Sequence, residues 1–345
     1  MAKRVVIIGG GAAGPKTAAK LRREDPDAVI EMYTEEQVIS YSACGLPYYI
    51  EGIISDINEL LVRTPEEFEK HGVRVFLGQK AIKINPDKQT VVFQKVGETE
   101  LSDVYFDILV IATGARPFIP KIENISDFKN VYTLRKLSDG VAIKKAAQKH
   151  KNVTIVGFGY IGIEILEAFI HNGLHVNIIN PHKYLMGAFD DDMAQTIQDY
   201  ILTRDGANIS VYNEDYAVRF VGENGLATKV VTKNGHEFET DFIVVSAGVV
   251  PNSEIAVAAG LKTGVNGSIW VNSHLKTSYP RIYAAGDCCE KHHMVTNHPC
   301  WLPLGSTANK EGRCAAINIA NKNCDFEGVL GAAVSRYFDF TVAMT

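Results

Sequence analysis

The strongest constraint on this chain is one arrangement that occurs twice. Val5-Val6-Ile7-Ile8 is an unbroken apolar run leading directly into Gly9-x-Gly11-x-x-Gly14, and a run without polar alternation suits a parallel strand covered on both faces. Residues 15–24 read as the following helix and 28–33 as the next strand. Strand, glycine loop, helix and strand thus follow one another within about thirty residues. The same order returns in Val153-Thr154-Ile155-Val156, Gly157-x-Gly159-x-x-Gly162, a helix over 163–172 and a strand over 175–179. One such loop is a weak sign of ligand binding; two in the same context are a strong one. In each, the first glycine makes the tight turn, the second lets a pyrophosphate approach the N–H groups of the helix start, and the third permits close helix–strand packing.

Three further segments, 108–117, 242–252 and 281–287, end a buried strand at a loop. The last places Asp287 where a carboxylate can accept hydrogen bonds from sugar hydroxyls. Residues 134–150 and 190–205 read as helices, 90–96 and 218–233 as antiparallel ribbons. A length of 345 residues holds two or three domains, and 46% hydrophobic with 22% charged residues excludes disorder, collagen and coiled coil. The net charge of -5 offers no basic field to nucleic acid or an anionic bilayer, so anionic partners must be held locally. Six cysteines without a C-x-x-C pair are too few for a disulfide scaffold and point to a reducing compartment. The start, Met1-Ala2-Lys3-Arg4 and then Val5 to Ile8, has the outline of a signal peptide, but Gly9 interrupts it and no later run reaches about 18 apolar residues. The expectation is a cytoplasmic protein with neither membrane nor nucleic-acid partners.

Ser40-Tyr41-Ser42-Ala43-Cys44-Gly45-Leu46-Pro47-Tyr48, Arg63-Thr64-Pro65-Glu66-Glu67-Phe68, Ala112-Thr113-Gly114, Gly159-Tyr160-Ile161-Gly162-x-Glu164, Ala285-Gly286-Asp287 and Pro303-Leu304-Gly305-Ser306-Thr307-Ala308-Asn309-Lys310-x-Gly312-Arg313 follow in that order. So ordered, they resemble the FAD-dependent pyridine nucleotide-disulfide oxidoreductases over essentially the whole chain. Within them the chain is similar to the branch of coenzyme A disulfide reductase, NADH oxidase, NADH peroxidase and NAD(P)H persulfide reductase. The resemblance implies an α/β fold with two Rossmann-like domains of the three-layer ββα type. The FAD-binding domain would take 1–118 and 252–322, the NAD(P)H-binding domain 119–251, and 323–345 would be the truncated start of an α+β C-terminal dimerisation domain. Gly9, Gly11, Ala12, Ala13, Gly14, Ala81, Thr113, Gly114, Arg116 and Asp287 would serve FAD. Pro303, Leu304, Gly305 and Thr307 would aim a helix start at the flavin, whose reduced, negative form the helix dipole stabilises. Gly157, Gly159, Ile161, Gly162 and Gly248 would serve NADH or NADPH. Tyr160 would cover the flavin face and Glu164 would lie near the nicotinamide; the competing readings are a packed aromatic and a solvated helix acid.

Cys44 decides what receives the electrons. It precedes Gly45-Leu46-Pro47, and proline favours a first helical turn, so the thiol is expected at a helix N-terminus that lowers its pKa. Relatives with an internal dithiol carry a second cysteine five residues on, where this chain has Tyr49. A single thiolate can attack an external small-molecule disulfide or persulfide and hold coenzyme A as a mixed disulfide, or cycle through sulfenic acid with oxygen or peroxide. Oxidase and peroxidase relatives usually carry a histidine where this chain has Ala12, which favours the coenzyme A disulfide or persulfide reading. Arg23, Ser40 and Ala43 match substrate positions of coenzyme A-binding relatives. Arg22, Arg23, Lys70 and His71 either clamp coenzyme A phosphates or form a solvated basic face.

The pattern departs in four places. Thr34 stands where the first half usually ends in a ribose-gripping acid, so either Glu35 takes over or ribose binding weakens. The second half ends at Asn180, with Lys183 able to meet a 2′-phosphate, which leaves NADH and NADPH open. Cys288-Cys289-x-x-His292-His293, with His298 and Cys300, carries metal donors, but adjacent ligands suit a tetrahedral site poorly and no metal is expected. Residues 335–345 resemble the first strand of the dimerisation domain, so the chain is either a fragment or a natural short form. Full-length relatives are homodimers through that domain, which leaves dimerisation of this chain open, and a strand with no sheet to join would expose an apolar edge. These departures motivate the reading from another class, a non-catalytic flavoprotein or redox-sensing fragment.

Overall fold

The computed structural model describes residues 2–344. The helices, in chain order, are α1 (Ala13–Glu24), α2 (Leu46–Glu51), α3 (Pro65–Lys70), α4 (Leu137–Lys149), α5 (Tyr160–His171), α6 (Asp191–Asp205), α7 (Glu254–Ala258) and α8 (Gly305–Ile319). Two compact units are formed. Unit 1 runs to Tyr41 and adds Leu61–Arg116 and Val250–Gly331; unit 2 holds Ser42–Leu60, Pro117–Val249 and the residues from Ala332 on.

Unit 1 is built on a five-stranded parallel sheet in the order Ile282–Ala284, Ile108–Ile111, Arg4–Ile8, Val29–Tyr33, Val73–Phe76. Val5, Val6 and Ile7 are fully buried, as an apolar run without alternation requires. The strand order reverses direction at Arg4–Ile8, and in such sheets ligands bind beyond the carboxyl ends of the strands at that switch point. There Ala13, Ala112, Ala285 and Ala308 form a cluster of small side chains. Their size lets α1 and α8 approach: a Cβ on Gly312 of α8 would stand 2.6 Å from the Ala13 carbonyl. The unit also holds a three-stranded antiparallel sheet, Gln79–Asn85, Thr90–Lys95 and Leu101–Tyr105, with a bulge between Ala81 and Lys83, and a two-stranded one, Lys291–His292 with Pro299–Cys300.

Unit 2 repeats the plan with Ile209–Asn213, His175–Asn180, Asn152–Val156, Phe242–Val245 and Val131–Thr133, all parallel. The segment 42–60 belongs to this unit, whereas the motifs alone group it with the first glycine loop. Its anchor is α2, whose Leu46 and Ile50 are fully buried in the unit 2 core, with a side-chain contact from the Glu51 carboxylate to Nδ1 of His171 of α5. Strands Ala333–Tyr337 and Phe340–Met344 pair antiparallel with one another. Tyr337 is fully buried and donates to the Asp205 carboxylate at 2.9 Å, while Phe340 stacks on Tyr200 at 4.5 Å. The strand expected to stand alone at this end is paired in a hairpin, but the two strands pair only with each other among the described residues and Val334 is 67% exposed; burying an aromatic side chain such as Tyr337 contributes about 2–3 kcal/mol toward holding the hairpin in place. No helix among the described residues is long and apolar enough to cross a membrane.

Candidate functional site: two glycine loops and an exposed thiol

In unit 1, Gly9 has φ 116° and a Cβ there would collide with the Ala112 carbonyl, so no other residue can make the turn. A Cβ on Gly14 would collide with the Gly9 carbonyl; this is the close packing of α1 on its own strand. Gly11 and Ala12 are exposed, and a Cβ on Gly11 meets nothing within 4 Å, so the space above the loop is open. The first turn of α1 has neither a side-chain cap nor an acid, and α8, which starts after Pro303 and Leu304, has neither. Gly305 and Ser306 are exposed and Thr307 is buried. By contrast α3 is closed by a capping box between Thr64 and Glu67. First-turn N–H groups left without side-chain acceptors are a ready site for anions.

Thr113 and Asn252 clasp each other: the Thr113 hydroxyl donates to the Asn252 carbonyl at 2.6 Å, and Asn252 Nδ2 donates to the Thr113 carbonyl at 2.9 Å. This fixes the turn at Gly114, where φ is 69°. Asp287 is half-buried, and its carbonyl accepts the Trp301 indole N–H at 2.8 Å. Ala81 lies at the bulge of the antiparallel sheet. Glu35 is exposed beside Lys80, whereas Thr34 is buried with its hydroxyl accepting the Glu36 N–H at 3.3 Å. Arg116 is engaged by Glu254 at 2.6 Å and Asn252 at 3.0 Å. Ser40 sits in the left-handed region at φ 50°, its N–H on the Gly10 carbonyl at 2.7 Å. Arg23, Lys70 and His71 are exposed. Arg22 is engaged within the fold: its guanidinium donates to the carbonyls of Pro26, Ala28 and Gly72 at 2.5–2.7 Å, tying α1 to the loops around it.

In unit 2, Gly157 repeats the turn at φ 86°, with a Cβ 2.7 Å from Ala247 Cα, and Gly159 again has open space. A Cβ on Gly162 would crowd the Phe158 ring at 3.0 Å and meet the Gly157 carbonyl at an ordinary 3.5 Å. α5 starts with no side-chain cap and no acid in its first turn. Tyr160 and Ile161 are half-buried; the Tyr160 hydroxyl is shielded and makes no hydrogen bond to the described residues, and burial raises its pKa. Glu164, one turn on, is not a solvated acid: burial pushes its pKa up to about 7. Gly248 is exposed at φ 102°. Asn180 is fully buried, its Nδ2 donating to the His182 and Tyr184 carbonyls and to Asn213 Oδ1 at 2.8–3.0 Å. Lys183 is exposed, 3.7 Å from Asp191. Cys44 is exposed in a single 3-10 turn, Ala43–Gly45, that runs into α2 with Pro47 in the first turn.

Two residues of unit 1 escaped the sequence reading. Lys291 and Glu311 are fully buried and paired at 3.4 Å. They grip one residue from both sides: the Gly286 N–H donates to Glu311 at 2.6 Å, and Lys291 Nζ donates to the Gly286 carbonyl at 2.8 Å. The pair thus sets the turn that presents Asp287. Burial pushes Glu311 up to about 7 although Lys291 opposes this; burial would lower Lys291, but the acid groups around it, Glu311 among them, hold it above its ordinary value. The only signal in the sequence was an acid on the otherwise small and apolar face of Thr307, Ala308, Cys314 and Ala315. The Cys288 thiol donates to the Ile111 and Ala285 carbonyls and the Cys289 thiol to the Gly286 carbonyl, at 3.3–3.5 Å.

Residues 3–312 match the family described as pyridine nucleotide-disulphide oxidoreductase. The chain is 34% identical over 350 residues to the NAD(P)H coenzyme A polysulfide/persulfide reductase of Pyrococcus horikoshii, covering 100% of this chain and 76% of that protein. It is 34% identical over 348 residues to an NADH oxidase of Methanocaldococcus jannaschii, covering 99% of this chain and 75% of that one. The solved NAD-dependent persulfide reductase from A. fulgidus superposes with a TM-score of 0.93 at 34% identity, over 99% of this chain and 63% of that structure.

Proposed function

The chain belongs to the pyridine nucleotide-disulphide oxidoreductase family, and from that premise we propose that it is an FAD-dependent NAD(P)H oxidoreductase. Its electrons pass to Cys44, which reduces coenzyme A disulfide or a related small disulfide or persulfide. The observation that carries this reading is the exposed Cys44 in the turn before α2, with Tyr49 five residues on in place of a second thiol. The uncapped starts of α1, α5 and α8, with open space over Gly11 and Gly159, fit two dinucleotides.

Bound FAD would take hydride from NAD(P)H and return the electron pair to sulfur. The residues of the chain do the rest. The Gly9 and Gly157 loops offer main-chain N–H groups to pyrophosphates, Asp287 accepts from a sugar chain, and Thr113 with Asn252 stiffens the adjoining loop. Glu164, with a pKa near 7, holds or releases a proton close to neutrality at the nicotinamide amide. Cys44 attacks one sulfur of the disulfide, releasing one thiol and retaining the other as a mixed disulfide that reduction then frees.

Replacing Cys44 with Ser tests this directly. Flavin content and NAD(P)H reduction of ferricyanide are expected to stay within about two-fold, while turnover of coenzyme A disulfide falls at least about a thousand-fold. Unchanged disulfide turnover would exclude the reading. The second reading, oxygen or peroxide reduction through a Cys44 sulfenic acid, is favoured by the oxidase relative; it requires NADH consumption in air that coenzyme A disulfide does not accelerate.

A further inference from the structure

The far end of α8 carries two more thiols. α8 ends at Ile319, and Asn321, at φ 59°, turns the chain back so that Cys324 lies against the helix. Asn318 grips Cys324 by its backbone from both sides: Oδ1 accepts the Cys324 N–H at 3.0 Å and Nδ2 donates to its carbonyl at 2.7 Å. Cys314 stands one turn earlier on the same face. Its thiol donates to the same Cys324 carbonyl at 3.0 Å. Asn318 Nδ2 reaches the Cys314 sulfur at 3.5 Å, and Leu275, Ala315 and Phe326 pack around the pair. Cys314 is 3% exposed and Cys324 is half-buried.

We propose that Cys314 and Cys324 are an oxidisable dithiol that a low-molecular-weight disulfide closes to an intramolecular disulfide. The loop is already ordered by the Asn318 clamp, which sets the Cys324 carbonyl 3.0 Å from the Cys314 sulfur, so closure requires only that the two neighbouring side chains turn toward each other. Cys324, the more accessible thiol, loses its proton to solvent and attacks one sulfur of the reagent; the reagent S–S bond breaks, one thiol leaves, and a mixed disulfide remains on Cys324. Cys314 then loses its proton and attacks the Cys324 sulfur, expelling the second thiol. The two cysteines together lose two electrons and two protons, and the reagent disulfide gains both. Burial raises the Cys314 pKa, so this second step is the slow one and speeds up with rising pH. The product staples the tail of α8 to the loop after it.

The test uses the full chain bearing Cys44→Ser, incubated without oxygen in excess 2-hydroxyethyl disulfide, then alkylated and weighed as peptides. The expected result is a 314–324 linkage lacking two hydrogens, blocked to alkylation until reduced. Adding Cys314→Ser, or Cys314→Ala if that variant folds better, is expected to leave a stable reagent adduct on Cys324. Asn318→Ala is expected to slow closure at least about five-fold. Two thiols that alkylate as readily after treatment as before, or a lasting adduct on Cys324 with Cys314 intact, would overturn the proposal. The readout is mass, not turnover, so it stands or falls apart from the proposed activity.

Discussion

The two glycine loops share a turn and differ in everything around it. Gly9 and Gly157 both need positive φ, and Gly11 and Gly159 both open onto space. The third glycine separates them: Gly14 is pressed against a backbone carbonyl, whereas the tight contact at Gly162 is the Phe158 ring at 3.0 Å, the Gly157 carbonyl lying at an ordinary 3.5 Å. Seven residues after the first glycine, α1 carries Lys16 and α5 carries Glu164, an acid held near neutrality by burial. The first loop is thus a rigid socket suited to a group that stays, and the second a looser one with a proton-responsive side chain, suited to a cofactor that binds and leaves.

The largest expected effect lies at the third glycine. Alanine inside a helix gains about 1 kcal/mol over glycine. At Gly14 that gain is overwhelmed, since a Cβ against a fixed carbonyl forces α1 off its strand at a cost of about 3 kcal/mol or more. Gly14→Ala should lower the melting temperature by roughly 5–10 °C and empty the flavin site. Gly162→Ala should be within about 1 kcal/mol of the parent, because the Phe158 ring can tilt. Thermal melts and flavin absorbance check both; equal losses would end the distinction between rigid and yielding sockets.

Next comes Glu164. A carboxyl whose folded pKa is raised from 4.5 to about 7 binds its proton more tightly when folded. The resulting stability is full below the unfolded value and is lost as pH rises through about 7. That loss amounts to at most roughly 3 kcal/mol. Glu164→Gln should flatten this slope in denaturant titrations between pH 5 and pH 8, and should remove a pH step near 7 from nicotinamide-dependent flavin reduction. A parent without that step would deprive α5 of its proton-responsive role.

What the sequence made legible follows the same divide. Glycine spacing marked both loops, because turn geometry is local and only glycine fits it. Cys44 and its turn were legible through Pro47. The docking of α2 in unit 2 was not, because it depends on Leu46 and Ile50 meeting a core formed from distant segments. The role of Arg22 was invisible for the same reason: its partners Ala28 and Gly72 are carbonyls, which every residue carries. The Lys291–Glu311 clamp joins a two-residue strand to a helix face, and neither segment alone signals the other.

The smallest effect concerns the ends of the strands that follow α1 and α5, at Thr34 and Asn180, both buried and neither an acid. Asn180 spends Nδ2 on three local acceptors, so it organises the turn that carries His182 and Lys183. Lys183 is exposed, and its contact to Asp191 at 3.7 Å is a surface pair worth little. It can therefore turn to a 2′-phosphate at small cost, and an exposed pairing of that kind is worth about 1 kcal/mol, roughly five-fold in affinity. Lys183→Ala should lower kcat/KM for NADPH about five-fold and leave NADH unchanged. Equal loss for both would instead make Lys183 part of the turn that Asn180 holds, and the second socket would then discriminate by shape, not by charge.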